Sequence, residues 1–263
     1  MIPALKCGNH NFHLKDREVS DMSAAAELIR TIRRGFTTAV VLAAGESHRM
    51  GKDKLFLELD EVPVLAMTLS ALNGCADLDE LIVVTREETI DEVGALRERF
   101  ALEKLTKVVI GGATRLESSL AGVAAADRRA RMICIHDGAR PFVTAKLVSE
   151  TIDLAMIYGA ATPVLPMYTT VKVARKGAVL STPDRETLYG VQTPQVFRTA
   201  IIKAALAKAA QEKIAYTDDC AAVEAIGGIP HIIAGDDENI KLTVPHDLIV
   251  ARAILERRKG AAK

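Results

Sequence analysis

The chain opens in polar, patternless sequence and then settles into short apolar runs alternating with amphipathic stretches. Thr38 to Leu42 is β-branched and apolar, the pattern of a buried strand. Leu81 to Thr85, Lys107 to Ile110 and Met132 to His136 repeat it. Between these runs, Pro63 to Leu72, Thr89 to Phe100 and Arg115 to Ala126 carry helical spacing. The third opens on Thr114-Arg115-Leu116-Glu117, the sequence form of a capping box. Thr144 is placed to cap a further helix that ends before Gly159. Such alternation predicts an α/β fold with a largely parallel sheet covered by helices on both faces.

Two regions stand outside this rhythm. Residues 1 to about 36 form an N-terminal extension, in which Ser23 to Arg34 reads as a short helix with Leu28 and Ile32 on one face. Residues 37–263 then form the second domain. Within it, Pro166 to Gln192 breaks the pattern. Thr169 to Val173 and Ala178 to Leu180 are short β-like runs around Lys176-Gly177, too polar for central strands. They predict a β-arm, about 166–191, that projects from the domain and packs on a second copy; a long surface loop is the plain alternative.

Charge and composition narrow the function. Basic and acidic residues balance at 34 each, so neither a nucleic-acid nor a membrane-surface binder is expected. Aromatic residues make up 4% with no Trp, which disfavours stacking platforms for single strands. Cys7, Cys75, Cys134 and Cys220 form no C-x-x-C pair, so a disulfide framework or zinc site is not expected and a reducing cytoplasm fits. No segment reads as a membrane span or a signal peptide.

The first strand ends in Ala43-Ala44-Gly45, small residues that let a ligand approach the backbone, followed by the cations Arg49, Lys52 and Lys54. A Walker A loop is excluded by its spacing, since Gly45 to Gly51 is one residue too long and Asp53 replaces the hydroxyl. A G-x-G-x-x-G loop is excluded by Ser47. In an open α/β sheet, ligands bind beyond the carboxyl ends of the strands. There, Ala43-Ala44-Gly45, Gly111-Gly112-Ala113 and Asp137-Gly138-Ala139-Arg140-Pro141 are expected to meet.

The loop resembles the A-A-G-x-G-x-R-M loop of nucleotidyltransferases, with Ser47 in place of its second glycine. Further blocks extend the likeness: Gly111 to Arg115 with Ser118, His136 to Pro141, Gln192 to Phe197, Thr217-Asp218-Asp219, and Glu238 to Thr243 with Pro245 and Asp247. In this order they resemble the 2-C-methyl-D-erythritol 4-phosphate cytidylyltransferases, from about Thr37 to the end. The resemblance implies a Rossmann-like, mixed and mostly parallel sheet of nucleotidyltransferase type, with a protruding arm for dimerisation. It also implies transfer of CMP from CTP to the polyol phosphate, with Mg2+, in a cytoplasmic homodimer whose arms are exchanged.

By the same resemblance, Arg49, Lys54 and Lys241 are catalytic, holding the triphosphate and stabilising the pentacoordinate phosphorus. Ala43, Ala44, Gly45, Gly112, Ala113 and Ser118 bind the nucleotide. Arg140, Thr170, Arg185, Thr193 and Thr243 bind the polyol phosphate, and Asp137 is the magnesium ligand. His136 is structural, since this reaction needs no imidazole. The chain departs from the pattern twice. The usual Pro-Lys-Gln-Tyr is Asp53-Lys54-Leu55-Phe56, which leaves Lys52 as a rival to Lys54. The usual Asp-Thr-Ile-Lys is Thr169-Thr170-Val171-Lys172. A ribitol-5-phosphate cytidylyltransferase and a non-catalytic nucleotide-binding protein are the alternatives.

Overall fold

The computed structural model describes residues 35–45 and 53–261. The expected helix over Ser23 to Arg34, and Ser47, Arg49 and Lys52, lie outside the described residues. The main sheet runs β10(Tyr189–Val191), β7(Ala160–Pro166), β11(Gln195–Arg198), β6(Met132–Asp137), β1(Thr37–Leu42), β4(Glu80–Thr85), β5(Leu105–Ile110), with β12(His231–Ala234) on the other side of β7. Strands β6, β1, β4 and β5 are mutually parallel, and β12 is parallel to β7. Strand β11 is antiparallel to both β6 and β7, so β7 returns to the common direction. The carboxyl ends of six strands therefore share one edge, and the entry into β11 joins them there. Two short pairs lie apart: β2(Glu58–Leu59) with β3(Val62–Pro63), and β8(Val173–Arg175) with β9(Ala178–Ser181).

Burial follows from this order. Central strands β4 and β6 are buried at every residue, which is why they read as continuous apolar runs. Edge strand β5 exposes Thr106 and Lys107, and Lys107 Nζ lies 3.2 Å from Glu80 Oε1. One face is covered by α1(Val64–Asn73), α2(Ile90–Arg99), α4(Ala145–Tyr158) and α7(His246–Ala261), through Leu65, Leu69, Leu96, Ile152 and Ile254. The other is covered by α3(Arg115–Ala125), α5(Thr199–Glu212) and α6(Asp219–Ala225), through Val123, Ile202, Leu206 and Val223. Helix α3 lies so near the sheet that a Cβ on Gly122 would stand 2.2 Å from Val40 Cγ1 and 2.8 Å from Val84 Cγ2.

The local signals produce the expected ends. Thr114 Oγ1 accepts from Glu117 N–H at 3.2 Å while Glu117 Oε2 accepts from Thr114 N–H at 3.1 Å, a complete capping box. Thr144 Oγ1 accepts from Leu147 N–H at 3.2 Å, and Gly159 closes α4 at φ 94°. The helix expected to reach Ala126 stops one residue earlier, where Ala126 turns to ψ 147°.

The arm differs more from expectation. Its first strand is Val173–Arg175 rather than Thr169 to Val173. Lys176 and Gly177 have φ of 50° and 81°, so the two-residue turn they form fixes the flanking ends at Arg175 and Ala178. Thr169, Thr170 and Lys172 precede the ribbon, and all residues of both its strands are exposed.

Candidate active site

Strand β6 ends in His136-Asp137, and the chain turns at once into Gly138-Ala139-Arg140. Gly138 N–H donates to Leu42 O at 2.9 Å and Ala43 N–H donates to Val84 O at 2.7 Å, which holds the ends of β6, β1 and β4 side by side. Gly111 N–H extends the row by donating to Thr85 O at 2.8 Å. A Cβ on Gly111 would stand 2.7 Å from Ser118 Oγ and 2.8 Å from Ala44 Cβ, so glycine lets this loop approach both the Ala44 loop and α3. Gly112 serves its own helix as well, because a Cβ there would meet Glu117 of the capping box at 2.2 Å. The expected meeting of Ala43-Ala44-Gly45, Gly111-Gly112-Ala113 with Ser118, and the Asp137 loop is therefore present.

The last of the sequence blocks closes over the same edge. Leu242 N–H donates to Ala139 O at 2.9 Å and carries Lys241 beside Asp137. Lys241 Nζ lies 3.0 Å and Arg140 Nε 3.2 Å from Asp137 Oδ2. Burial pushes the Asp137 carboxyl up, but Lys241, Arg140 and Arg115 outweigh burial and hold it well below the usual carboxylate range. Asp137 is thus an anion at neutral pH, and the two cations meet it differently. Arg140 is buried and donates from Nη1 to Asn239 O at 2.7 Å, whereas the Lys241 side chain is 42% exposed.

Thr193 and His136 brace this carboxylate from behind. Asp137 N–H donates to Thr193 Oγ1 at 3.1 Å, and Thr193 Oγ1 lies 3.0 Å from His136 Nδ1. His136 Nε2 faces Arg140 O at 3.5 Å. A carbonyl only accepts, so Nε2 carries the proton and Nδ1 takes the threonine hydroxyl proton. Burial lowers the His136 pKa to about 4, so the ring is neutral and its role is structural, as expected. Asn239 Nδ2 donates to Thr193 O at 2.8 Å, and Gln192 Nε2 donates to Asp236 O at 2.9 Å. These bonds bind the entry of β11 to the segment that delivers Lys241.

A second buried group lies under α3. Arg115 Nη2 is 2.7 Å from Asp219 Oδ2, and Gln195 Oε1 accepts from the amides of Asp219 and Cys220 at 2.9 and 3.2 Å. Burial pushes the Asp219 carboxyl up against the pull of Arg115. Arg115, Gln195 and Asp219 belong to the recognised blocks, but their part in joining α3, β11 and α6 emerges only from the contacts.

The remaining expected residues are placed as follows. Lys54 stands in the turn Asp53–Phe56, at the same sheet edge. Thr243 is half-buried beside Lys241, with its hydroxyl donating to Lys241 O at 3.0 Å. Thr170 and Arg185 are exposed at the base of the arm, where Arg185 Nη1 donates to Tyr168 O at 2.9 Å, and within one chain they do not join the Asp137 cluster. Arg86 was not anticipated. As the first residue after β4 it belongs to the same edge, and that position was the available signal. Among the described residues no group of three or more His, Cys, Asp or Glu forms a metal cluster, and no helix is long and apolar enough to cross a membrane.

Residues 37–257 match the family model IspD: 2-C-methyl-D-erythritol 4-phosphate cytidylyltransferase. The chain is similar to curated proteins of that name. It is 37% identical over 227 residues to the one from Alkaliphilus metalliredigens, covering 84% of this chain and 94% of the relative. It is 40% identical over 224 residues to the one from Caldanaerobacter subterraneus, covering 84% and 99%. Among solved structures, it resembles 4-diphosphocytidyl-2C-methyl-D-erythritol synthase from Anaerococcus prevotii, with a TM-score of 0.77 at 29% identity over 86% of this chain and 99% of that one. The cytidylyltransferase from Thermus thermophilus matches with a TM-score of 0.69 at 31% identity, over 82% and 98%.

Proposed function

The chain belongs to the 2-C-methyl-D-erythritol 4-phosphate cytidylyltransferase (IspD) family, and from that membership we propose how its residues divide the reaction. The enzyme transfers CMP from CTP to 2-C-methyl-D-erythritol 4-phosphate, giving 4-diphosphocytidyl-2-C-methyl-D-erythritol and pyrophosphate. A phosphate oxygen of the polyol attacks the α-phosphorus of CTP, and the bond from that phosphorus to the bridging oxygen of the β-phosphate breaks. Such a reaction calls for in-line positioning and for cations where charge accumulates.

The backbone of Ala43, Ala44, Gly45, Gly112 and Ala113, with Ser118, forms the seat of the nucleoside. The close approach of Gly111 to Ala44 and Ser118 supports this reading, because it draws these parts of the seat together. Arg49 and Lys54 grip the triphosphate. Lys241 is the cation of the Asp137 cluster open to an incoming phosphate. Arg140, tied to Asn239, keeps its place and offsets the carboxylate. Arg140, Thr193 and Thr243 line the polyol phosphate side, with Thr170 and Arg185 supplied by the arm of a second copy in a homodimer. A guanidinium on such an arm grips a phosphate by paired hydrogen bonds.

A magnesium ion fits the donor set. Asp137 is one carboxylate held in its charged form at the sheet edge, and magnesium takes its other ligands from water and phosphate oxygens. When bound there it would neutralise charge on the phosphates. We place the enzyme in the cytoplasm, since cysteines far apart in sequence and without a C-x-x-C pair fit a reducing compartment.

The observation that carries the proposal is the convergence of Asp137, Arg140 and Lys241 beside the glycine-lined cradle. Pyrophosphate release from CTP, followed with magnesium present or chelated, tests it. Release with methylerythritol 4-phosphate, absent with ribitol 5-phosphate, is expected. The reverse preference would reassign the acceptor, and CTP binding without release would make this a binding protein.

A further inference from the structure

Lys241 reaches the Asp137 cluster from residues 238–244, a stretch that forms neither helix nor strand. Its placement therefore depends on what holds the two ends of that stretch, and helix α7 holds both. In the first turn of α7, Asp247 Oδ2 accepts from the amides of Thr243 and Val244 at 2.6 and 2.9 Å. In the last turns, Arg257 Nη2 lies 2.5 Å from Glu238 Oε1, and Arg258 Nε lies 3.0 Å from Glu238 Oε2. The apolar face of α7 fixes the helix itself, with Ala251 and Ile254 in the same buried cluster as Leu242 and Phe142.

The two arginines are not equivalent. The Arg257 side chain is 73% exposed and meets Glu238 at the surface, where an ion pair contributes little. Arg258 is 35% exposed and turns inward. While its Nε meets Glu238, its Nη2 donates to Phe142 O at 2.9 Å, and its guanidinium carbon lies 5.2 Å from the centre of the Phe142 ring. Phe142 is buried and directly follows the Asp137–Pro141 loop. One planar fork thus ties the segment that carries Lys241 to the loop that carries Asp137 and Arg140. The two are also joined at the site, by Leu242 N–H to Ala139 O and by Arg140 Nη1 to Asn239 O. An incoming phosphate competes for the pair between Lys241 and Asp137, whereas the Arg258 bridge engages no group assigned to substrate.

We propose that Arg258 is a positioning residue for the transfer step: by clamping Glu238 to the Phe142 carbonyl it keeps Lys241 in place against Asp137 and Arg140. This rests on the reading of Lys241 as a cation that meets the phosphates. Removing Arg258 leaves Glu238 paired with Arg257, so the bridge is lost while the carboxylate keeps a counter-charge. The two arginines therefore predict different outcomes, although both neutralise the same anion.

The test uses Arg258→Ala, Arg257→Ala, Glu238→Ala and the Glu238→Ala/Arg258→Ala double variant in the full chain. Arg258→Ala should lower kcat about tenfold, the scale of one lost charge-assisted contact that aligns a reacting group, and leave the KM for CTP within about twofold. Arg257→Ala should stay within about twofold of the unaltered enzyme in both. The double variant should lower kcat no further than the more damaging single one, since both break one bridge. Equal losses in the two arginine variants, a higher CTP KM with unaltered kcat in Arg258→Ala, or losses that multiply in the double variant overturn the proposal. Should alanine unfold the chain, Arg258→Lys keeps the charge without the fork and should still lower kcat severalfold; an unaltered kcat there also overturns it. Amide exchange gives a readout that needs no turnover. Leu242 should exchange faster in Arg258→Ala than in Arg257→Ala or the unaltered chain, and equal rates overturn the clamp. If the unaltered enzyme releases no pyrophosphate, the transfer reading fails by itself and the exchange result still decides the clamp.

Discussion

His136 shows what a single buried residue contributes without touching substrate. Its ring accepts from Thr193 and donates to Arg140 O, and so braces both neighbours of the Asp137 carboxylate. Burial lowers its pKa from 6.5 to about 4, so between those values the unfolded chain takes up a proton that the folded chain refuses. Its contribution is complete above pH 6.5 and is lost as pH falls toward 4, with a slope near pH 5 of about 1.4 kcal/mol per pH unit. Urea unfolding of the wild type and of His136→Asn across this range should differ by that one-proton slope; parallel curves would refute it. This structural role was legible in the sequence, because in-line phosphoryl chemistry needs no imidazole. Topology put Asp137 and Arg140 on one edge, and the family resemblance alone brought Lys241 to the same region. Arg86 was legible only as the first residue after β4. Its partners are Gly45 and Asp53, 41 and 33 residues back, and no periodicity encodes that approach.

Helix α3 couples cap, packing and site within a few turns. Its capping box orients the loop of Gly112 and Ala113, and Gly122 on the same helix lets it settle on β1 and β4. Gly122→Ala forces a methyl to within 2.2 Å of Val40 Cγ1. We expect it to destabilise the fold by about 1–3 kcal/mol, the range for overpacking a dense core, as a lower urea midpoint. The helix shift should also raise the KM for CTP, because Ser118 moves with it; a lost midpoint with unaltered kinetics would separate packing from site. At this scale the sequence spoke clearly wherever a local device set the boundary, as at Thr114, Thr144 and Gly159. It spoke less clearly where pairing decided. The first arm strand lies nearer the turn than composition suggested, because the positive φ of Lys176 and Gly177 fixes the register. Strand β11 pairs with both β6 and β7 through contacts distant in sequence, and no local pattern announces it.

For the molecule as a whole, the arm is the element least explained by its own chain. Thr170 and Arg185 lie away from the Asp137 cluster, and we assign them to a partner's polyol phosphate pocket. Arg185→Ala should accordingly raise the KM for the polyol phosphate much more than the KM for CTP; equal effects on both would remove that assignment. Strands β8 and β9 are exposed at every residue, and a two-stranded ribbon without a core is at most marginally stable alone. If the arm lands on a second copy as proposed, the order it needs for binding comes from that surface, and the amount of enzyme present becomes a kinetic variable. On that reading, specific activity should fall with dilution below the dissociation constant of the pair and return on concentration; activity independent of dilution would remove the second copy from the site.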